Sequence, residues 1–139
     1  MNEAIVNPFQ PDQQEVPIVV LLSKIELPDG FVYPPEFLFL VDSRIVFFPP
    51  WQLLFGDWTR TRFEGMRVRY PERKLVPFAR RFNCDDVACW EGIDNRGVVV
   101  VHDFASSGWE DRSERYPDFW SWYRAAVDEM IEFERDDRE

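Results

Sequence analysis

Three short apolar segments, each ending in a turn, constrain this chain more than any other feature. They are LVPFARRF (75–82), VACWEG (87–92) and VVVVHDF (98–104), and the intervening NCDD and IDNRG are rich in turn-forming residues. Valines and aromatic residues favour strands, and connections this short join neighbouring strands as hairpins. The segments therefore predict a central antiparallel sheet over residues 75 to 103.

Helical patterns flank this sheet. DWTRTRFEGMRVRY (57–70) predicts a basic helix that Asp57 caps and Pro71 ends, and Pro35 suits the first position of a short buried helix. From Pro117 the chain predicts an amphipathic helix that covers the sheet. Its apolar stripe consists of Phe119, Trp122, Tyr123, Ala126, Val127, Met130 and Phe133.

Two further segments have weaker patterns. PIVVLLSKIEL (17–27) fits either a strand or a buried helix. Residues 51–55 follow the proline pair Pro49 and Pro50, which breaks regular structure, so we expect a one-turn plug over the core there.

The size of the chain fits one domain. It has 139 residues, of which 45% are hydrophobic and 17% aromatic, enough apolar surface for a folded core. Residues 1–15, MNEAIVNPFQPDQQE, are expected to form a partly ordered arm, and 16–139 a single domain. The predicted fold class is α+β, with a central antiparallel sheet flanked by helices.

The charge is strongly acidic and unevenly distributed. With 26 acidic and 16 basic side chains the formal net charge is -10, which argues against a nucleic-acid or anionic-membrane partner. The net charges of residues 1–59, 60–81 and 82–139 are -6, +6 and -10. The basic segment 60–81 either pairs with acidic residues of the same chain or forms a surface for a charged partner.

Nothing in the sequence predicts secretion or membrane insertion. The N-terminus has no basic stretch followed by a cleavage site, and the longest apolar run, residues 16–22, is far shorter than the roughly 20 residues that span a bilayer. Cys84 and Cys89 are too few for a disulfide framework. These features predict a cytoplasmic protein.

Candidate catalytic groups are sparse. His102 precedes Asp103 and this pair could orient a general base, but no GxSxG elbow supplies a nucleophile, so a structural role is favoured over a small hydrolase. Carboxylate pairs on turns are normally solvated rather than tuned for acid catalysis. The scattered glycines form no phosphate loop. We predict no enzymatic activity.

Metal binding is not expected either. Cys84, Cys89 and His102 lack the spacing of zinc ligands, and Cys89 suits a buried strand position. The sequence predicts no metal and no cofactor.

The turns and loops supply a candidate contact surface. Trp109 stands beside Glu110 and Asp111 in a loop led by Gly108, and tryptophan is enriched in interface hot spots. The alternative is that Trp109 folds back into the core. The predicted partner-binding residues are Asp85, Asp86, Glu91, Asp94, Trp109, Glu110 and Asp111.

The order of these motifs resembles that of the SUKH superfamily, the Smi and Knr type of domain. The similarity covers roughly residues 25 to 135, and the Asn-Gly-Gly turn frequent in that family after its first helix is replaced by VDSRIVFFPPWQLL. The matching positions are Leu27, Pro28, Tyr33, Phe37, Pro77, Phe78, Ala79, Asp85, Asp86, His102, Asp103, Phe119, Trp120 and Trp122.

This resemblance implies an α+β domain without catalytic residues. Bacterial SUKH members act as immunity proteins that bind a cognate toxin, often a nuclease, and other members act as regulatory or scaffold domains. A chain of net charge -10 would associate rapidly with a basic toxin domain, although acidity also serves solubility alone. The expected function is toxin neutralisation by direct binding, and the alternative is regulation of an endogenous protein. The sequence does not predict the oligomeric state.

Overall fold

The chain folds into three helices and six strands across residues 16–92 and 97–138, the part that this computed structural model describes. The predicted arm, residues 1–15, lies outside that part. The elements in chain order are α1 (Pro35–Asp42), β1 (Phe47–Phe48), β2 (Trp51–Leu53), α2 (Asp57–Arg69), β3 (Leu75–Arg81), β4 (Asp86–Glu91), β5 (Val98–His102), β6 (Asp111–Tyr116) and α3 (Phe119–Arg138).

All the described strands belong to one antiparallel sheet, in the order β1-β2-β3-β4-β5-β6. The strand order follows the chain order because each strand pairs with the next one in the sequence. The predicted α+β class and the three central strands are confirmed. The helices predicted at Pro35, at 57–70 and from Pro117 are also confirmed.

The one-turn plug that the sequence predicts for residues 51–55 is wrong. Trp51 and Leu53 belong to β2, which pairs with β3 opposite Arg81 and Ala79. The proline pair lies between β1 and β2, where it forms the connection between two strands. Leu53 thus buries its side chain within the sheet.

Three other expectations are corrected. The N-cap of α2 is Gly56, at φ +56°, and Asp57 is the first helical residue. Residues 111–116 form β6 where a loop was expected, since their charged sequence DRSERY has no apolar alternation. The 17–27 segment is neither strand nor helix. It is irregular and fixed by contacts such as the bond from the Leu22 amide to the Tyr33 hydroxyl (2.9 Å).

One face of the sheet packs against α1 and α3 through aromatic side chains. Trp90 of β4 lies 4.2 Å from Phe78 of β3 and 5.0 Å from Phe37 of α1, measured between ring centroids. Trp122 of α3 contacts Phe78 at 4.9 Å. Phe119 and Ala126 of the predicted apolar stripe are likewise buried, so α3 covers this face as expected. We call it the aromatic face.

The opposite face packs against α2 and is built from smaller side chains. Val87 and Cys89 of β4 alternate with Ala88 and Trp90, so they point to this side, where Met66 and Tyr70 cover them. Cys89 is fully buried without a disulfide, as predicted, and burial raises the pKa of its thiol well above the usual value. We call it the α2 face.

Candidate functional site

Strand alternation separates His102 from Asp103 at the end of β5. The His102 ring lies on the aromatic side, where Nδ1 is 2.9 Å from Asp86 Oδ1, whereas Asp103 points to the α2 side. The less favoured alternative of the sequence analysis, that this pair orients a general base, is therefore not supported by their placement. Successive residues of a strand point to opposite faces.

Asp103 is fully buried and joins β5 to α2 through two arginines. Its carboxylate accepts hydrogen bonds from Arg62 Nη1 at 2.7 Å, Arg69 Nε at 2.7 Å and Arg69 Nη2 at 2.6 Å. Burial raises the pKa of Asp103, but the bonds from Arg69 and Arg62 outweigh it, so that the pKa lies below the ordinary value. The ion pairs fix the start of the loop between β5 and β6.

A second cluster forms around Arg73, which follows α2. Its guanidinium donates to both oxygens of Glu91 at 2.7 Å, to Glu110 at 2.9 Å and to Asp111 at 2.7 Å. Glu110 is buried and also accepts a bond from the Gly108 amide at 2.6 Å. Burial raises the pKa of Glu110, but the bonds from Arg73 and from backbone amides outweigh it and bring the pKa below the ordinary value. Arg73 thus fixes the end of the same loop.

A third cluster lies on the aromatic side around Asp86. His102, Arg81 and Arg112 contact its carboxylate, with Arg112 Nε at 3.0 Å from Oδ1. Burial raises the pKa of Asp86, and the bonds from His102 and Arg112 together with the charge of Arg81 bring it below the ordinary value. Arg81 also forms a bidentate pair with Glu129 of α3, at 2.9 Å for both bonds, and so ties the sheet to that helix.

These clusters bear on the two interpretations of the basic segment. Six of its eight basic side chains form ion pairs within the chain, which supports pairing inside the chain over a basic contact surface. The six are Arg60, Arg62, Arg67, Arg69, Arg73 and Arg81. Most of the positive charge of this segment is therefore paired within the chain and does not form a basic contact surface.

The loop between β5 and β6 presents two large aromatic side chains to solvent. Trp109 is 82% exposed and Phe104 is 61% exposed. The Phe104 ring lies under the Arg69 guanidinium, 4.0 Å from its carbon, and the Tyr70 hydroxyl donates to Ala105 O at 2.8 Å. The alternative that Trp109 folds back into the core is contradicted by its exposure.

The predicted contact residues occupy different places. Glu91, Glu110 and Asp111 converge on Arg73 on the α2 side, and Asp86 lies on the aromatic side. The side chain of Asp85 is exposed, and its carbonyl accepts the Asp103 amide at 2.9 Å, which links the β3–β4 turn to the candidate loop. Asp94 lies outside the described residues.

Sequence reasoning missed the role of Phe104, Arg62 and Arg69. Asp103 is followed by an aromatic residue at φ +72°, a conformation that depends on the fold and leaves no pattern in the sequence. A signal for Asp103 was present, however. On an alternating strand, a carboxylate two positions after Val101 falls on the same face as Val99 and Val101 and therefore needs a cationic partner from the helix above them.

Other kinds of site are not evident in the described residues. Within 16–92 and 97–138, no three His, Cys, Asp or Glu side chains are arranged to hold a metal ion. No helix in that part is long and apolar enough to cross a membrane. No protein-family model, curated protein or solved structure matches the chain.

Proposed function

We propose that this chain is a non-enzymatic binding protein that neutralises a basic toxin domain by direct contact. Trp109 and Phe104, exposed on a loop that buried ion pairs fix at both ends, are the observation that carries this proposal. Tryptophan in particular is enriched among the residues that dominate interface energies. The Phe104 ring is also held against the Arg69 guanidinium, so one of the two exposed rings is already ordered before a partner covers it.

The rigidity of the loop supports a role in binding. Asp103 and Glu110 are its terminal anchors, and both accept arginine bonds in a buried setting. A loop that is already ordered loses little conformational entropy when it binds, so more of the contact energy remains as affinity. In this proposal Asp86, Glu91 and Glu110 act by positioning the surface, and Asp85 and Trp109 are available for contact.

Charge supports a basic partner. The net charge is -10, and nine of the sixteen basic side chains are already ion-paired within the described structure. A toxin that acts on nucleic acid carries a positive surface for phosphate, and such a surface is attracted by the acidic excess of this chain. A cytoplasmic location and the SUKH resemblance are parts of the same proposal.

The test is a capture experiment with the full chain and its W109A variant. Both are immobilised and exposed, at low and at high salt, to a lysate of cells that carry the gene, and bound proteins are identified by mass. We expect a basic toxin domain whose binding weakens with salt and falls about 30-fold or more in W109A, the loss of a hot spot worth about 2 kcal/mol. Co-expression of the chain should also relieve growth inhibition by the captured toxin.

The matched control is W58A, which removes a half-exposed tryptophan near the start of α2. W58A should retain binding. The free energy of unfolding of W109A should lie within about 0.5 kcal/mol of the wild-type value, because the Trp109 side chain is largely exposed in the folded chain. Capture of signalling proteins alone would favour the regulatory alternative. Equal capture by W109A and the wild type would show that the contact surface lies elsewhere.

A further inference from the structure

A cleft of about 530 Å³ separates residues 25–29 from the C-terminal part of α2 and the start of β3. This volume falls within the range of roughly 300 to 1,000 Å³ that is typical of small-molecule sites in proteins. Leu27, Phe63 and Leu75 line the cleft and are buried, and Ile25 lies at its edge, 96% exposed. The cleft therefore offers an apolar surface large enough for a small organic molecule.

The first wall of the cleft, residues 25–29, is held in place by bonds within the chain. The Ser23 carbonyl accepts the amides of Glu26 and Leu27, both at 3.0 Å, and the Ser23 amide donates to Glu26 Oε1 at 2.8 Å. Arg60 of α2 forms a bidentate ion pair with Glu26. This wall is thus fixed to the helix that carries the second wall.

The second wall follows the end of α2 and is also fixed. The Tyr70 amide donates to Met66 O at 2.8 Å, and the Arg73 amide donates to Tyr70 O at 3.0 Å, so the chain turns from the helix toward β3. The Gly92 amide donates to Lys74 O at 3.0 Å. A cleft with two fixed walls needs little reorganisation when a ligand enters, so more of the contact energy remains as affinity.

Two of the charged side chains that line the cleft already have strong partners. The Glu26 carboxylate is bound by Arg60. The Arg73 guanidinium is bound by the three carboxylates that converge on it. Neither group is therefore available to hold a ligand.

Two other charged groups, on opposite walls, are open. The Asp29 carboxylate on the first wall and the Lys74 ammonium on the second are exposed, and neither forms an ion pair within residues 16–92 and 97–138. Arg67 also lines the second wall, where it is 59% exposed and paired weakly with Glu64, at 3.5 Å. The cleft thus has an open negative charge on one wall and open positive charge on the other.

We propose that this cleft binds a small zwitterion with an apolar body, namely a short apolar peptide whose two ends are free. The peptide ammonium faces Asp29, and its carboxylate faces Lys74 and Arg67. The apolar side chains of the peptide cover the buried lining between the two walls. A ligand with one charge only would leave the open charge of the opposite wall without a partner.

This inference goes beyond toxin binding and does not depend on it. The cleft is lined by residues of the first wall, α2 and the start of β3, and neither Phe104 nor Trp109 lines it.

The test compares peptides that differ by one charged group. Leucyl-leucine, N-acetyl-leucyl-leucine and leucyl-leucine amide are each titrated into the isotope-labelled full chain and followed by NMR. The shifts should centre on residues 25–29 and 67–75. Leucyl-leucine should bind about threefold or more tightly than either blocked peptide, an effect of the size expected for exposed ion pairs. Glycyl-glycine, which has both charges without the apolar body, should bind about tenfold or more weakly than leucyl-leucine.

Two variants assign each charge to its wall. D29N should abolish the preference for leucyl-leucine over its acetylated form, and R67Q combined with K74Q should abolish the preference over its amide. The matched control is R124Q, at an exposed arginine of α3 outside the cleft, which should keep both preferences. Circular dichroism establishes that each variant is folded, and the peptide comparison on the wild-type chain needs no variant at all.

Three results would overturn the proposal. They are shifts that leave both walls unaffected, a blocked peptide that binds as tightly as leucyl-leucine, and a D29N variant that keeps its full preference against the acetylated peptide. No toxin enters these measurements, and W109A should bind leucyl-leucine as the wild type does. The failure of this inference and the failure of the proposed function are therefore distinguishable.

Discussion

The two faces of the sheet are stabilised by different interactions. On the aromatic face, Trp90 and its neighbours on α1 and α3 form a continuous stack of large rings. On the α2 face, the apolar centre is made of valines, Cys89, Met66 and Tyr70, and arginine–carboxylate pairs surround it. Buried apolar area dominates the first face, and charge-assisted hydrogen bonds contribute strongly to the second.

This difference indicates which part of the molecule can carry a binding surface without loss of the fold. The α2 face and the ends of the loop beyond β5 are held by bonds with defined directions, and these bonds fix the backbone on either side of Phe104 and Trp109. The ring stack of the aromatic face contributes buried apolar area, and its contacts between rings carry no charge.

The largest expected effect is on the aromatic face. W90A removes a fully buried ring that contacts Phe37 and Phe78, and it should lower the free energy of unfolding by about 3 to 5 kcal/mol. Urea unfolding followed by circular dichroism measures the change. W90F is the control, because the Trp90 Nε1 has no hydrogen-bond partner among residues 16–92 and 97–138 and the loss of this group should cost much less. Equal losses in W90A and W90F would show that this face does not depend on ring packing.

The next effect is on the α2 face. D103N leaves Arg62 and Arg69 without their carboxylate in a partly buried setting and should lower the free energy of unfolding by about 2 to 4 kcal/mol. The control is D85N, at the exposed residue just before β4, which should change the free energy of unfolding by less than about 0.5 kcal/mol. If D103N and D85N unfold at the same urea concentration, the buried pairs do not stabilise the structure.

The smallest expected effect is a loss of stability at low pH, to which carboxylates on both faces contribute. Asp86, Asp103 and Glu110 have pKa values below those of the unfolded chain, whose Asp and Glu residues titrate near 3.8 and 4.5. The unfolded chain therefore binds protons first, so the stability that these groups provide is present at neutral pH and is lost as the pH falls through about 4 and below.

Urea unfolding at several pH values between 7 and 3 measures this loss. The decline should be shallower in D103N, which lacks one of the three carboxylates, and should keep its slope in W90A, which keeps all three. A wild-type chain equally stable at pH 7 and pH 3 would contradict the role assigned to these carboxylates.

Much of the fold was predictable because hydrophobic patterns and turn residues report local geometry. The strands over 75–103 and the helix from Pro117 have strong periodicity, and both form as predicted. β6 escaped prediction because an edge strand with charged side chains resembles a loop in sequence, and its pairing with β5 depends on the whole sheet. β2 was not predicted because the preceding prolines indicated a break in regular structure, whereas they form the turn between two strands.

The candidate site was only partly predictable. Trp109 could be selected from its residue type and its position after Gly108, and its side chain is exposed. The partners of the selected carboxylates could not be read from the sequence, because Arg73 reaches Glu91, Glu110 and Asp111 across 18 to 38 residues of chain. Long-range ion pairs of this kind depend on the relative placement of helices and strands, which no local pattern encodes.

The agreement between strand order and chain order has a consequence for synthesis on the ribosome. Each strand pairs with the strand that was made just before it, so the sheet can grow one strand at a time, and the connection between β2 and β3, which contains α2, is the longest one to close. Helix α3 follows all six strands, and until it docks, Phe78 and Trp90 lack the cover of Phe119 and Trp122. The nascent sheet is therefore most exposed to aggregation in the interval before its last helix leaves the ribosomal exit tunnel.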